Sequence, residues 1–422
     1  MDTWSLLSRA VVGTRQYVQF RCQTIAQTIG QIKVYTNQVQ TSYAADPWAG
    51  PNAAGPGTRT PVAPLTLAGI ERAARDQLAP EIWDFVEGGS GAERTLAANR
   101  EMFGRHAFRP RALVDVSVCA PAVDLLGATL QLPVGIAPMA YHRLVHPDGE
   151  TATARAAGKA GALLVAGIFA SRTLEDIAEA ATGPLWLQLY WLRRREALAA
   201  LVERAEAAGY AALLLTVDAP RIGRRLRDLR NGFAVPPEIR AVNLDPALMA
   251  ASHHAGQGSS GIAEHAREQF DPTLTWADLA WLRERSRLPL VLKGVLTAED
   301  ARRAADHGVD AVVVSNHGGR QLDGVLPALA ALPEVVDALP PHIPALLDGG
   351  VRSGADIAVA LALGARAVLV GRPAFWGLAT GGEAGVGQVL DLLRDELEHT
   401  MALLGRPSVA DLDRTALAPW PV

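Results

Sequence analysis

Residues 311–323 read Ala-Val-Val-Val-Ser-Asn-His-Gly-Gly-Arg-Gln-Leu-Asp, a short unbroken apolar run followed by a polar loop that opens on a histidine and a glycine pair. An apolar run without alternation suits a strand buried on both faces. Seven more such runs flank it, at 134–137, 162–166, 185–189, 211–216, 289–292, 343–347 and 367–370, with alanine-rich stretches of helical character between them. Strands alternating with helices argue for a parallel sheet in the α/β class. Eight units over about 240 residues fit a closed (β/α)8 TIM barrel, and an open doubly wound sheet is the alternative on pattern alone.

Composition narrows the function classes. The 422 residues are 49% hydrophobic and 20% charged with a net charge of -4, so nothing marks a nucleic-acid surface. No apolar run reaches the length of a membrane span. The two cysteines, Cys22 and Cys119, stand in no ligand-like spacing, so neither a disulfide framework nor a metal site is expected, and a cytoplasmic location fits. Residues 1–60 are rich in Gln, Thr, Val and Tyr and end in a Pro/Gly stretch. They read as an N-terminal helical or irregular extension with a linker, carrying one helix between about residues 15 and 39 and no signal peptide. The barrel occupies 61–422, and the polar segment 236–273, with His253 and His254, reads as a loop or lid between the fourth and fifth units.

Chemically suggestive residues cluster directly after the apolar runs. Asp218 follows the fourth, Lys293 ends the fifth, and His317 and Arg320 follow the sixth. The sequence 348–352 (Asp-Gly-Gly-Val-Arg) follows the seventh, and Gly371-Arg372 the eighth. In a barrel all of these face one mouth, where the last two strands often bind phosphate. An imidazole can take the proton of a hydroxyl and a guanidinium fork can grip a carboxylate, the two needs of 2-hydroxy acid oxidation. Each residue also has a plain reading. His317-Gly-Gly could be a surface turn, Gly349-Gly350 a simple bend, Asp218 a strand end, and Arg225 part of a solvated charge run. Lys293, after Leu-Val-Leu, would be costly as a lone buried charge, which points it toward an anion in the mouth.

The chain resembles the FMN-dependent 2-hydroxy acid oxidases and dehydrogenases over about residues 65 to 415. The matches are Gly88-Gly89 with Glu93, Thr95, Leu96 and Asn99, and the segments 108–111, 136–138, 146–150, 188–190, 216–218, 292–297 and 315–323. The resemblance implies that Pro138, Met139, Ala140, Gln188, Tyr190, Thr216, Lys293 and Ser315 line FMN. It places Asp348, Gly349, Gly350, Val351, Arg352, Gly371 and Arg372 on the phosphate side. By the same carry-over Phe85, Tyr190, Arg225, His317 and Arg320 contact substrate, His317 is the base, Asp218 its partner and Lys293 the stabiliser of reduced flavin.

One departure bears on substrate: Phe85 stands where many relatives carry a tyrosine on the substrate carboxylate, so the pocket is more apolar and an aromatic acid is favoured. Phe85 with Gly88–Gly91, the run 140–144 and the run 188–192 resemble the 4-hydroxymandelate oxidases within the family. The expected partners are a small (S)-2-hydroxy acid and O2, without nucleic acid or membrane, in a homo-oligomer (tetramer or octamer). A dehydrogenase with a quinone or carrier acceptor and a flavoprotein tailoring role are the rival readings. No histidine precedes His106, so residues 1–105 hold no haem on a histidine pair.

Overall fold

A computed structural model describes residues 64–244 and 261–421; the helix expected between 15 and 39 and the pair His253-His254 lie outside these described residues. Eight parallel strands close a barrel in chain order: β1 (Val134–Ile136), β2 (Leu163–Gly167), β3 (Leu185–Leu189), β4 (Ala212–Thr216), β5 (Leu290–Val295), β6 (Ala311–Ser315), β7 (Ala345–Asp348) and β8 (Ala367–Val370), with β8 pairing back to β1. The closed barrel, not the open sheet, is the fold.

The strands begin where the chain permits. Pro133, Pro184, Pro289 and Pro344 precede the odd strands, and a proline has no N–H to give a ladder. Their carbonyls are used instead, accepting from Val368, Leu164, Leu213 and Val312 of the neighbouring even strands at 2.9–3.1 Å. This is why β5 and β7 start at Leu290 and Ala345, later than the apolar runs alone indicated.

Strand side chains alternate between the two faces, and here the alternation sets the site. Leu163, Val165, Trp186, Ala212, Leu214, Val291, Ala311, Val313, Leu346, Ala367 and Leu369 fill one core cluster, closed below by Val123, Leu125 and Leu130 of an antiparallel hairpin. Leu187, Leu213, Leu215, Leu292, Val312, Val314, Leu347 and Val368 belong to the larger cluster shared with the helices. Continuing the inner row toward the carboxyl ends of the strands reaches Gln188, Thr216, Lys293, Ser315 and Asp348, all buried. The barrel interior therefore ends in a polar layer beneath its mouth.

Segment 236–273 is not wholly loop. Gly261–Gln269 is helical, with His265, Ala266 and, just after it, Phe270 on its buried side. Among the described residues no helix is long and apolar enough to cross a membrane.

Candidate active site

His317 heads the loop after β6 with φ 59°, followed by Gly318 and Gly319 at φ 62° and 76°. Left-handed backbone at a non-glycine residue costs of order 1–3 kcal/mol and persists only when its surroundings impose it. The imposition here is local. Asn316 Oδ1 accepts from Gly319 N (3.1 Å), and Ser315 Oγ accepts from His317 N (2.9 Å). Asn316 and Asn99 exchange amide hydrogen bonds at 2.8 Å in both directions, tying the loop to the helix Arg94–Glu101. A Cβ on Gly319 would meet Leu96 N at 2.6 Å, so only glycine allows that approach.

His317 Nδ1 lies 2.8 Å from Asp218 Oδ1. Asp218 has room because the β5–β6 register shifts at Lys293/Val295, where Gly294 (φ 114°) has no Cβ to collide with it; one would lie 2.5 Å from Asp218 Cβ. Burial pushes the His317 imidazole below its ordinary value, and Lys293 adds to this while Asp218 opposes it, so the ring is neutral at neutral pH. For Asp218 burial acts upward, but His317 and Lys293 hold the carboxyl below its usual range. The pair is thus a neutral imidazole on a carboxylate, with Nδ1–H donated to Asp218 and Nε2 left as the basic atom.

The charge run 223–228 is not a solvated face. Arg224 is exposed, but Arg225 and Asp228 are 8% and 1% exposed, and Arg227 bridges Glu93 (2.6 Å) and Asp84 (3.3 Å). Arg320 Nη1 donates to Gly88 O (2.7 Å), and its guanidinium stands 5.4 Å from the Phe85 ring centroid. Burial, then Arg225 and Arg372, depress the pKa of Arg320 strongly; burial does the same to Arg225. A guanidinium does not give up its proton at any ordinary pH, so both stay charged in a desolvated setting suited to an anion. Among the described residues no carboxylate stands in ion-pair distance of either arginine.

A second cationic cluster lies after β7 and β8. Gly349 and Gly350 have φ 121° and 88°, and a Cβ on Gly350 would lie 2.2 Å from Asn99 O. Arg352 sits 4.9 Å from the Trp376 ring, and burial followed by Arg372 lowers its pKa to about 10. The Nε atoms of Arg352, Arg372 and Arg225 are buried without a hydrogen-bond partner. Glycine backbone free of side chains, the start of the helices Gly354–Ala362 and Arg372–Leu404, and two under-used guanidiniums form a cradle suited to a phosphate monoester.

Lys293 does not face an anion alone: its Nζ lies 3.0 Å from Asp348 Oδ2 and 3.1 Å from Ser315 Oγ. Burial works against its charge, yet Asp348 and Asp218 keep its pKa above the ordinary value. Asp348 is therefore a counter-ion, and only the glycines and arginines near it are left for phosphate. Gln188 donates to Thr216 Oγ1 at 3.0 Å. Gln188, Ser315 and Asp218 lie behind the cavity wall, holding Thr216, Lys293 and His317. All the other candidate residues, from Phe85 and Pro138–Ala140 to Gly371 and Arg372, line one cavity at the barrel mouth.

The same cavity is walled by residues not singled out from sequence: Phe169, Ile222, His265, Ala266, Phe270 and Phe375. Tyr190 stacks on Phe270 at 4.4 Å, Phe169 stands 5.7 Å from Tyr190, and Phe85 stacks on Phe233 at 4.6 Å. Burial, with Asp218, pushes the Tyr190 phenol up to about 12, so it stays a hydroxyl donor. Spacing could have flagged His265, Ala266 and Phe270, which recur at helical intervals. Phe169 and Ile222 carry no such signal.

A cavity at the mouth of a β/α barrel, lined by a glycine–arginine cradle and by a histidine held on an aspartate, is that of a flavin-dependent oxidoreductase. The model of the FMN-dependent dehydrogenase family matches residues 74–419. The L-lactate oxidase of a Nostoc species is 48% identical over 358 residues, covering 84% of this chain and 98% of that protein. The 4-hydroxymandelate oxidase of Amycolatopsis orientalis is 49% identical over 345 residues, covering 82% and 96%. A crystal structure of mandelate oxidase with (S)-4-hydroxymandelic acid superposes with a TM-score of 0.81 at 48% identity, covering 84% of this chain and 98% of that one. The chain belongs to the FMN-dependent dehydrogenase family, in its 2-hydroxy acid oxidase branch, and FMN is its cofactor.

Proposed function

We propose that the protein oxidises an aryl-bearing (S)-2-hydroxy acid of the mandelate type to the 2-oxo acid, with O2 reduced to H2O2. The observation that carries this reading is the pairing, in one cavity, of a neutral His317 with two guanidiniums that have no carboxylate within ion-pair distance among the described residues, in a wall rich in aromatic rings. Arg225 and Arg320 hold the substrate carboxylate, which supplies the missing charge. Tyr190 donates a hydrogen bond to the same end. His317 Nε2 takes the hydroxyl proton, and Asp218 fixes the tautomer and stabilises the imidazolium so formed. Bound FMN would supply the acceptor for the electron pair of the Cα–H bond and the means of reducing O2. Lys293, kept charged by Asp348, offers positive charge where negative charge grows. The cradle of Gly349, Gly350, Arg352 and Arg372 holds the cofactor phosphate, while Pro138, Met139, Ala140 and Thr216 line its ring side.

Phe85, Phe169, Ile222 and Phe270 favour an aryl group over a methyl or hydrogen. A short acid is the competing reading, carried by the similarity to a lactate oxidase. The test is to add (S)-mandelate and (S)-lactate separately to the flavin-loaded protein without oxygen, follow the flavin absorbance, then admit air. Bleaching by mandelate, with recovery and peroxide in air, is the expected result. Efficient bleaching by lactate but not mandelate overturns the aryl reading. His317→Ala should keep FMN and lose bleaching by several orders of magnitude; near-normal bleaching removes the base from His317.

A further inference from the structure

Asp228 is a buried acid that the chemistry above leaves unused. It is 1% exposed, and neither of its carboxylate oxygens has a hydrogen-bond partner. A carboxylate buried in this way is costly, so charges around it must supply the offset. It lies in the helix Leu226–Asn231, three residues after Arg225, which caps that helix; side chains at these two positions are neighbours. Arg227 is drawn off to Glu93 and Asp84. Arg225 from its own turn and Arg320 from the loop after β6 then act on Asp228, with Asp84 of the helix Pro80–Glu87 opposing them. Asp228 reaches neither guanidinium within ion-pair distance, yet it is the acid with the largest pull on each. Burial raises its carboxyl above the ordinary value while Arg320, Arg225 and Arg227 draw it back, so it remains a carboxylate at neutral pH.

We propose that Asp228 is a positioning residue of the carboxylate clamp: its negative charge, near Arg225 and Arg320 but out of bonding reach, holds their grip on an anion below full strength, so that the 2-oxo acid product leaves. This rests on the reading above in which the two arginines hold the substrate carboxylate, and it holds for an aryl or a short acid alike. Substrate and product carry the same carboxylate. Two desolvated guanidiniums with no opposing charge would hold both tightly, and binding common to both slows release without speeding the chemistry. A charge beyond ion-pair distance opposes the bound carboxylate without taking its hydrogen bonds. The two carboxylates repel through a poorly solvated interior, and a proton on Asp228 relieves that repulsion. Anion binding and proton uptake are thereby linked, and affinity rises as pH falls through the pKa of Asp228.

The experiment titrates phenylglyoxylate and pyruvate, the 2-oxo acids of an aryl and of a short substrate, into the oxidised, FMN-loaded protein by calorimetry. Native protein, Asp228→Asn and Asp228→Ser are compared between about pH 5 and 7, below and around the imidazole range, in two buffers of different ionisation enthalpy. Both variants should bind the acid that the native protein binds about tenfold more tightly at pH 7. The native protein should take up more protons per acid bound than either variant toward pH 5. Arg225, Arg227, Arg320 and Asp84, which face Asp228, and His317 in the same cavity are common to all three, so the difference belongs to Asp228. A side chain that only filled space would loosen binding when replaced and would leave proton uptake unmoved. Unchanged or weaker binding in the fully loaded variants, or equal proton uptake, overturns the proposal while the clamp reading stands. A native protein that binds neither acid removes the clamp, and the role of Asp228 with it.

Discussion

Replacing Asp218 by Asn changes one charge and almost no volume, and the contact at stake is short: Asp218 Oδ1 to His317 Nδ1, 2.8 Å, between two half-buried groups. When His317 takes a proton the pair becomes an ion pair. Unit charges about 4 Å apart at an effective dielectric of about 20 attract by about 4 kcal/mol. At about 1.4 kcal/mol per decade this predicts flavin reduction slower by about a thousandfold in Asp218→Asn. An amide N–H turned toward Nδ1 would add to the loss, because it drives the proton onto Nε2 and removes the base. The cofactor should be retained, since Asp218 does not line the cavity, and its backbone bond from Gln321 Nε2 (3.0 Å) is untouched.

The pH dependence follows from the same contact. The rate is lost as pH falls through the pKa of His317, which burial and Lys293 already depress and only Asp218 raises. Without Asp218 the acid limb must move to lower pH even as the plateau drops. Stopped-flow reduction without oxygen, between about pH 5 and 9 around the imidazole range, measures both. Reduction within about fivefold of the native rate in fully loaded protein, or an acid limb that moves upward, would refute the reasoning.

Three further outcomes can be checked. Arg352→Gln removes a buried cation whose pKa is lowered to about 10. FMN should bind about 10- to 100-fold more weakly, by dilution and flavin fluorescence, while the flavin-free protein melts no lower than the native one. A flavin-free protein that melts clearly lower, or unchanged FMN affinity, contradicts the phosphate role. Asn99→Leu strips partners from Asn316 and from Ala328 N, which donates to Asn99 Oδ1 at 3.2 Å; a loss of about 3 kcal/mol should lower Tm by about 3–4 °C in a thermal melt. No change in Tm would mean that the amide pair does not hold the His317 loop. Phe85→Tyr places a hydroxyl beside Arg320 and should raise lactate efficiency relative to mandelate; a constant ratio argues against Phe85 as a determinant of substrate size.

Most of this architecture could be read before any coordinates because two periodicities coincide. Buried parallel strands give unbroken apolar runs, and all eight runs are strands. Their carboxyl ends share one mouth, so residues directly after a run share a site, and His317, Arg320, Arg352 and Arg372 were legible for that reason. What could not be read were contacts made across units. That Lys293 pairs with Asp348 depends on the inner row of β5 facing that of β7, which no local spacing encodes. Arg225 looked like surface because its neighbours Arg224 and Arg227 are solvated or bridged to acids, and only the turn into the helix Leu226–Asn231 sends Arg225 inward. The helix Gly261–Gln269 was hidden by the polarity of the segment around it. Its inward side chains join the core at the wall of the cavity.

The charges of the cavity explain why such a site is held so tightly by its backbone. Arg225 is buried and Arg320, Arg352 and Arg372 are half-buried, yet among the described residues Arg372 has a carboxylate in ion-pair range only in Glu87, at 3.7 Å, and Arg225 and Arg320 have none that close. Mutual repulsion would scatter them were they not fastened to carbonyls: Arg320 and Arg372 both donate to Gly88 O, at 2.7 and 3.1 Å, and Arg372 also to Gly318 O at 3.1 Å. Those carbonyls belong to the 87–89 turn, held by Gly89 N donating to Glu93 Oε1, and to the His317 loop, fixed by Asn99, Asn316 and its left-handed glycines. The cations are thus anchored by the backbone itself, so an anionic ligand meets positive charge that needs little rearrangement. Strain at His317 and unspent positive charge are two sides of one arrangement, each stable only because the loop that bears the first also supplies the carbonyls that hold the second.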